Sequence, residues 1–283
     1  MNENAYRFRV GALEGIALRD ATEVSGVADL IPDVGDPVVA EAMSRRGWST
    51  TEMTFEFLGL FVRSGRERIV VDAGWGPCSD EHKSQFAENL REAGVAPCDV
   101  TFVILTHLDL DHAGGVMDPS GGLTFPNARV VVDERAWTWY TEEKTLATMP
   151  SAMAESFRTM KPLLDGRMLL TQGEAEILPG VRSLPAPGHR LGHMAIELVS
   201  EGKTLLHLAD TVLHPIVIEH PDWRTGFDTT QEVIRATRRR LFDRAATSDA
   251  LVFLSHAPFP GLGHIVREGS AWRWVPLDSP SGA

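Results

Sequence analysis

Apolar residues in this chain gather into short runs separated by turn residues, and several runs stop at a histidine or an aspartate. Phe55 to Val62 and Arg68 to Asp72 predict two strands joined by the turn Arg63 to Glu67. A helix follows from Ser79, with Phe86, Leu90 and Ala93 on one face and Gly94 as its C-terminal cap. Thr101 to Leu105 and Ala128 to Val132 read as strands, and Glu134 to Leu164 as largely helical, interrupted at Pro150. Trp137, Trp139, Tyr140, Met153 and Met160 in that stretch read mainly as core. Beyond Gly180 the chain is strand-rich: Val181 to Leu184, Met194 to Val199, Thr204 to Leu208, Leu251 to Leu254 and Trp272 to Pro276. Val233, Thr237, Leu241 and Ala245 recur at helical spacing after a capping box, Thr229-x-x-Glu232, which places Arg235, Arg238, Arg239 and Arg240 mostly on the solvated side. Residues 1–49 say less, beyond a turn at Asp33 to Asp36 and an amphipathic piece from Met43 to Trp48.

The 283 residues, 43% of them apolar, suffice for one large domain or two intimate halves. The division expected is an N-terminal extension (1–50) packed on a main domain (51–277), with 278–283 as a frayed tail. A net charge of −12 argues against a nucleic-acid partner, which calls for clustered Lys and Arg. Cys78 and Cys98 are too few for a disulfide framework. The N-terminus lacks a signal-peptide pattern, and no apolar stretch approaches the roughly 18 residues that span a bilayer. A soluble cytoplasmic protein with a small-molecule substrate and no membrane partner is the expectation.

Chemistry concentrates in Thr106-His107-Leu108-Asp109-Leu110-Asp111-His112-Ala113-Gly114-Gly115, directly after a strand-like run. Imidazole nitrogen and carboxylate oxygen are the donors that hold zinc, iron or manganese at an open site. The bland reading is a polar loop in which the aspartates cap turns. Against it stand three further strand ends carrying the same donor types: His189 after Pro185-Ala186-Pro187-Gly188, Asp210 after Leu206 to Ala209, and His256 after Val252 to Ser255. Open αβ sheets collect functional groups at strand ends, so a shared metal site is expected.

These motifs resemble the metallo-β-lactamase superfamily, whose signature is His-x-His-x-Asp-His followed by a distant His, then Asp, then His. His214-Pro215, His220-Pro221-Asp222-Trp223, Phe227-Asp228 and Ser255 to His264 further resemble its methyl parathion hydrolase and lactonase-like branch, from about Phe55 onward. The resemblance implies an α/β fold, a four-layer αββα sandwich, with two divalent metal ions between sheet edges. His107 and His189 would hold the first; Asp111, His112 and His256 would hold the second; Asp210 would bridge them. Asp109 stands where the superfamily has its second histidine. It would replace that ligand by a harder, charged donor and move preference from zinc toward iron or manganese, or, where the shorter side chain does not reach, leave the first position less occupied. Asp72 would support the metal loop without ligating. His193 and His264 are expected to back up ligands, and His214 to face the pocket. The Glu134–Leu164 region would contribute to the pocket rim, with Trp137 or Trp139 as candidates. An N-terminal extension covers the pocket or forms a homodimer contact in relatives.

The function implied is hydrolysis by a metal-bound hydroxide of a small ester, lactone or organophosphate-like substrate, with Asp210 orienting the nucleophile and Asp111 passing its proton to the leaving group. Some lactonases of the superfamily carry a Tyr just after the bridging Asp; Thr211, Val212 and Leu213 stand here instead. No Gly-x-Ser-x-Gly elbow supports a serine esterase. Two other classes stay open: a non-heme iron redox or oxygen-using enzyme, suggested by Asp109, and a metal-binding protein without turnover.

Overall fold

The computed structural model describes residues 2–33, 35–78 and 83–277. Within them the chain lays down two seven-stranded sheets, one after the other. The first holds β1 (Ala5–Val10), β2 (Leu13–Gly26), β3 (Glu52–Ser64), β4 (Glu67–Val71), β5 (Phe102–Ile104), β6 (Arg129–Asp133) and β7 (Met168–Thr171) in chain order. It is antiparallel as far as β4 and parallel beyond. The second holds β8 (Ala175–Leu178), β9 (Val181–Pro185), β10 (Met194–Ser200), β11 (Lys203–His207), β12 (Leu251–Phe253), β13 (Leu262–Glu268) and β14 (Ala271–Pro276). Only β11 and β12 run parallel there, joined by a crossover that includes the helix Gln231–Thr247.

Strands covered on both faces read as unbroken apolar runs, and the side chains then divide by the two-residue period. Leu60, Val62, Ile69 and Val71 meet Ile196, Leu198, Leu205 and Phe253 between the sheets. Phe61 and Val70 point the other way, toward Phe86, Leu90, Phe157 and Met160. Leu206, Leu208 and Val252 pack outward on Leu241, Phe242 and Ala245. Three apolar layers thus separate four layers of structure, the expected αββα sandwich.

Several elements differ from the sequence expectation. Residues 5–26, of which little was legible, form β1 and β2, paired directly to β3. β7, β8 and β13 were also missed. They carry half-exposed or charged positions that blur the pattern. The register of β2 shifts between Arg19 and Ala21, so the bulge turns Asp20 inward. Its carboxylate accepts from Trp75 N, Ser84 Oγ, Gln85 N and Phe86 N. Asp20 thereby caps the helix Phe86–Glu92 from another strand. The start expected at Ser79 lies outside the described residues, as does the tail 278–283. Gly94 ends that helix with φ 84°.

The arginine-rich helix also needs correction. The capping box does not form; Thr229 Oγ1 donates to Gly188 O, and Thr230 precedes the first helical residue without a side-chain cap. Val233 is exposed, whereas Ile234, Thr237, Arg238, Leu241, Phe242 and Ala245 are buried. Arg238 follows Ile234 by four residues and so falls inside the buried stripe. Its charge is met there by Asp228, at 2.7 Å and equally buried, while Thr211 O and Trp223 O accept its other protons at 3.0 and 2.9 Å.

Two outcomes follow for stability. Arg238→Ala takes the guanidinium from a buried Asp228, leaving it only Thr225 and His189, so urea unfolding should lose about 3–5 kcal/mol. The exposed Arg239→Ala should cost less than about 0.5 kcal/mol, and equal losses would contradict the burial described. His214 packs edge-on against Trp48 at 4.8 Å and accepts from Ile216 N. Burial pulls its pKa from 6.5 down to about 4. The unfolded chain therefore takes up this proton first, and stability held above pH 6.5 drains away as pH falls toward 4. Between about pH 7 and pH 5 the wild type should lose about 2 kcal/mol more than His214→Asn. Parallel pH profiles of the two proteins would refute this.

Candidate metal centre

The loop after β5 begins with a carboxylate from β4's end. Asp72, at φ 58°, accepts from Thr106 N and Thr106 Oγ1, both at 2.8 Å, and from His112 Nδ1 at 2.9 Å. Thr106 Oγ1, its own proton given to Asp72, can accept from His107 Nδ1 at 3.1 Å. Gly114 and Gly115 let this loop lie on the 73–76 segment. An added Cβ would stand 2.1 Å from Trp75 O at the first and 1.9 Å from Ala73 O at the second. Only glycine fits there.

His107, Asp109, Asp111, His112, His189, Asp210 and His256 converge. They divide into two groups, each able to hold an ion: His107, Asp109 and His189, and Asp111, His112, Asp210 and His256. In the first, Asp109 Oδ2 is 3.7 Å from His107 Nε2 and 3.6 Å from His189 Nε2. Asp210 Oδ2 faces the same nitrogens at 3.8 and 3.3 Å. Its other oxygen, Oδ1, lies 3.2 Å from both His112 Nε2 and His256 Nε2. Asp111 Oδ2 completes that side at 3.2 and 3.7 Å from the same two nitrogens. Donors about 2.0–2.2 Å from a tetrahedral ion stand about 3.3–3.6 Å apart, so both groups have the size an ion needs.

The outer nitrogens favour the same reading. Every Nδ1 in the set is engaged: His107 at Thr106 Oγ1, His112 at Asp72, His189 at Asp228 Oδ1 (3.3 Å) and His256 at Glu56 O (2.7 Å). Each neutral ring therefore aims an Nε2 lone pair inward. His107 Nε2, His112 Nε2, His189 Nε2 and Asp210 Oδ1 are buried without a hydrogen-bond partner. Such atoms are costly to bury unless a positive charge meets them. Burial alone would raise the Asp210 pKa, but His112, His256, His189 and His107 hold it well below the ordinary carboxylate range. Burial opposes charge on His112, yet Asp111, Asp210 and Asp72 lift it well above 6.5. The donors are set for a cation, and in its place a proton.

The remaining expected residues separate. His193 Nδ1 donates to Ala186 O at 2.8 Å and its Nε2 accepts from Asp210 N at 3.2 Å, so it fixes the backbone of Asp210. His264 lies on β13, 3.8 Å from Asp249, outside both groups; Glu56 O, not His264, supports His256. His214 is turned into its contact with Trp48 and does not line the cavity over the donors. Neither Trp137 nor Trp139 lines it, while Met153 does.

Four supports escaped sequence reasoning. Asp228 backs His189 and is itself held by Arg238. His207 Nδ1 accepts from the N–H of Ala209, which sits at φ 44° immediately before Asp210. Tyr140 OH and Arg190 Nε donate to Asp109 Oδ1 at 2.9 and 3.0 Å. The extra negative charge expected of Asp109 is thus met by Arg190, while its oxygen stays a harder donor than imidazole. No sequence signal marked Tyr140 or His207; Arg190 could have been suspected from its place directly after His189.

Above the donors lies a cavity of about 520 Å³, within the range of small-molecule sites. Phe55, Phe57, Trp75, Leu213 and Phe227 give it an apolar wall, and Phe55 stacks on the His256 ring at 4.3 Å.

Comparison with known proteins agrees with this geometry. A probable metallo-hydrolase of Mycobacterium tuberculosis is 24% identical over 241 residues, 70% of this chain and 74% of that one. An N-acyl homoserine lactonase of Bacillus thuringiensis is 28% identical over 169 residues, 59% of this chain and 60% of the relative. Among solved structures, AidC, a dizinc quorum-quenching lactonase, has a TM-score of 0.85 at 23% identity, covering 98% of each chain. The hydrolase AbOPH, of the beta lactamase superfamily, has a TM-score of 0.88 at 23% identity over 99% of this chain and 100% of that one. These two structures speak for the fold. The profile of the metallo-beta-lactamase superfamily matches residues 59–256, and the chain belongs to that superfamily.

Proposed function

We propose that the chain is a metal-dependent hydrolase that uses two divalent ions on a small neutral ester, lactone or organophosphate-like substrate. The observation that supports this is the division of Asp210, one oxygen toward each donor group, on the floor of an apolar cavity. His107, Asp109, His189 and Asp210 would hold one ion, and Asp111, His112, His256 and Asp210 the other. Imidazole with carboxylate suits zinc. Ions bound there supply an activated water and a Lewis acid for a carbonyl or phosphoryl oxygen.

The chain's own residues do the rest. Asp210 fixes the spacing of the two groups. Asp111 belongs to the second group and also lines the cavity, so its carboxylate is placed to take a proton from attacking water and return it to the leaving oxygen. The aromatic wall receives an apolar substituent and keeps bulk water out. The two ions would offset Asp109, Asp111 and Asp210, so Glu23 and Asp29 set the charge of the rest of the cavity, and together with its apolar wall they support reading the substrate as neutral.

Chelation should abolish cleavage of a neutral aryl ester or a lactone, and added Zn²⁺ or Mn²⁺ should restore it. Asp210→Ala should lose both turnover and bound metal; a fully active variant would sink the reading. Asp228→Asn keeps the shape beside His189 but drops the charge. Its metal affinity, read by competition with a chelating dye, should fall by about 10–100-fold, and an unchanged affinity would argue against His189 as a ligand.

A further inference from the structure

Asp109 differs from every other donor at the centre: one of the protein's own cations sits on it. Arg190 Nε lies 2.9 Å from Asp109 Oδ2, the oxygen that faces His107 and His189, and 3.0 Å from Oδ1. Tyr140 OH donates to Oδ1 at 2.9 Å. Arg190 is held in place, since its Nη1 donates to His189 O at 3.2 Å and also to Phe227 O. These bonds hold its guanidinium against Asp109. Among the described residues no arginine or lysine pairs with Asp111 or Asp210.

The two groups therefore offer an ion different fields. Asp210 turns one oxygen to each group and so favours both, while Asp111, which no arginine or lysine meets among the described residues, adds its charge to the group of His112 and His256. In the group of His107, Asp109 and His189, Arg190 cancels the charge that Asp109 adds. A divalent ion there would also stand close to a fixed guanidinium, and like charges at such range in a buried site repel strongly. Tyr140 ties up the second carboxylate oxygen, which limits Asp109 to one donor atom.

We propose that Arg190 and Tyr140 make the two ion positions unequal. The position of Asp111, His112, Asp210 and His256 fills first and tightly. The position of His107, Asp109 and His189 is weak and exchangeable, with an affinity set by Arg190. This rests on the two-ion reading above. In it Arg190 and Tyr140 are positioning residues that act through Asp109.

The test is titration of the metal-stripped full chain with Zn²⁺ against a competing chelating dye, with circular dichroism to confirm that each variant is folded. The wild type should show two binding steps separated by about 100-fold or more. His256→Ala should remove the tight step and His107→Ala the weak one. Arg190→Gln keeps an N–H toward Asp109 but loses the charge, so the weak step should tighten by about tenfold or more while the tight step stays put. Arg190→Lys should leave the gap wide. Tyr140→Phe, the milder change, removes one of the two donors on Asp109 Oδ1 and leaves Arg190 Nε there at 3.0 Å, so it should tighten the weak step by a few-fold at most. Two equal steps in the wild type, or an unchanged gap in both Arg190→Gln and Tyr140→Phe, would overturn the inference. Absence of any Zn²⁺ step would instead overturn the two-ion reading on which it rests.

Discussion

The structure depends on how buried negative charge is balanced around one point. Asp72, Asp109, Asp111, Asp210 and Asp228 all lie at or next to the centre, with little or no exposure of their side chains. Two arginines, Arg190 and Arg238, meet two of them directly. The rest face imidazoles. Several desolvated carboxylates without matching cations would be unstable in a low-dielectric interior. The imidazoles either take up protons or give their lone pairs to an ion, and the hydrogen bonds at every Nδ1 prepare them for the second course.

That balance explains why the supports are spread over so many elements. Each donor needs its outer face fixed, and the supports come from different strands and loops. Asp72 follows β4, Glu56 lies within β3, Asp228 precedes the arginine-rich helix, and the His193 ring braces Asp210 from the loop before β10. The sheets hold these points in register through apolar packing on both faces. Even the N-terminal strands take part: Arg19 of β2 forms a two-pronged pair with Glu56, whose carbonyl holds His256. β2 is thereby connected, through Glu56, to a candidate donor far away in the chain.

The convergence of these side chains was legible because metal-type residues follow several apolar runs, whose ends a sheet brings together. The central strands were legible for a related reason, being buried on both faces. What stayed hidden depends on pairings that period and composition do not encode. Arg238 looks like one more exposed charge until Asp228 is known to face it. β2 carries Glu14, Arg19, Asp20 and Glu23, a charge density that hides a strand whose partners in β3 lie 26 to 49 positions on, from Gly26 opposite Glu52 to Glu14 opposite Arg63. His264 misled in the other direction. It sits in a conspicuous run with His256, yet the turn into β13 carries it to Asp249 and away from the centre.

Asp109 shows the limit of substituting one ligand type for another on paper. Taken alone, a carboxylate in place of an imidazole adds charge and hardness. In the folded chain Arg190 and Tyr140 act on that carboxylate directly, so the field at the position is set by three residues together. Arg190 is adjacent in sequence to His189, so the arginine is carried to the centre by the same loop that delivers a donor. Tyr140 reaches it from the end of the helix Glu134–Tyr140, itself packed on Phe157. The character of one donor is thereby tied to the packing of a helix outside the motif. Reading a metal site from its donor types alone omits the charges that the protein brings to those donors.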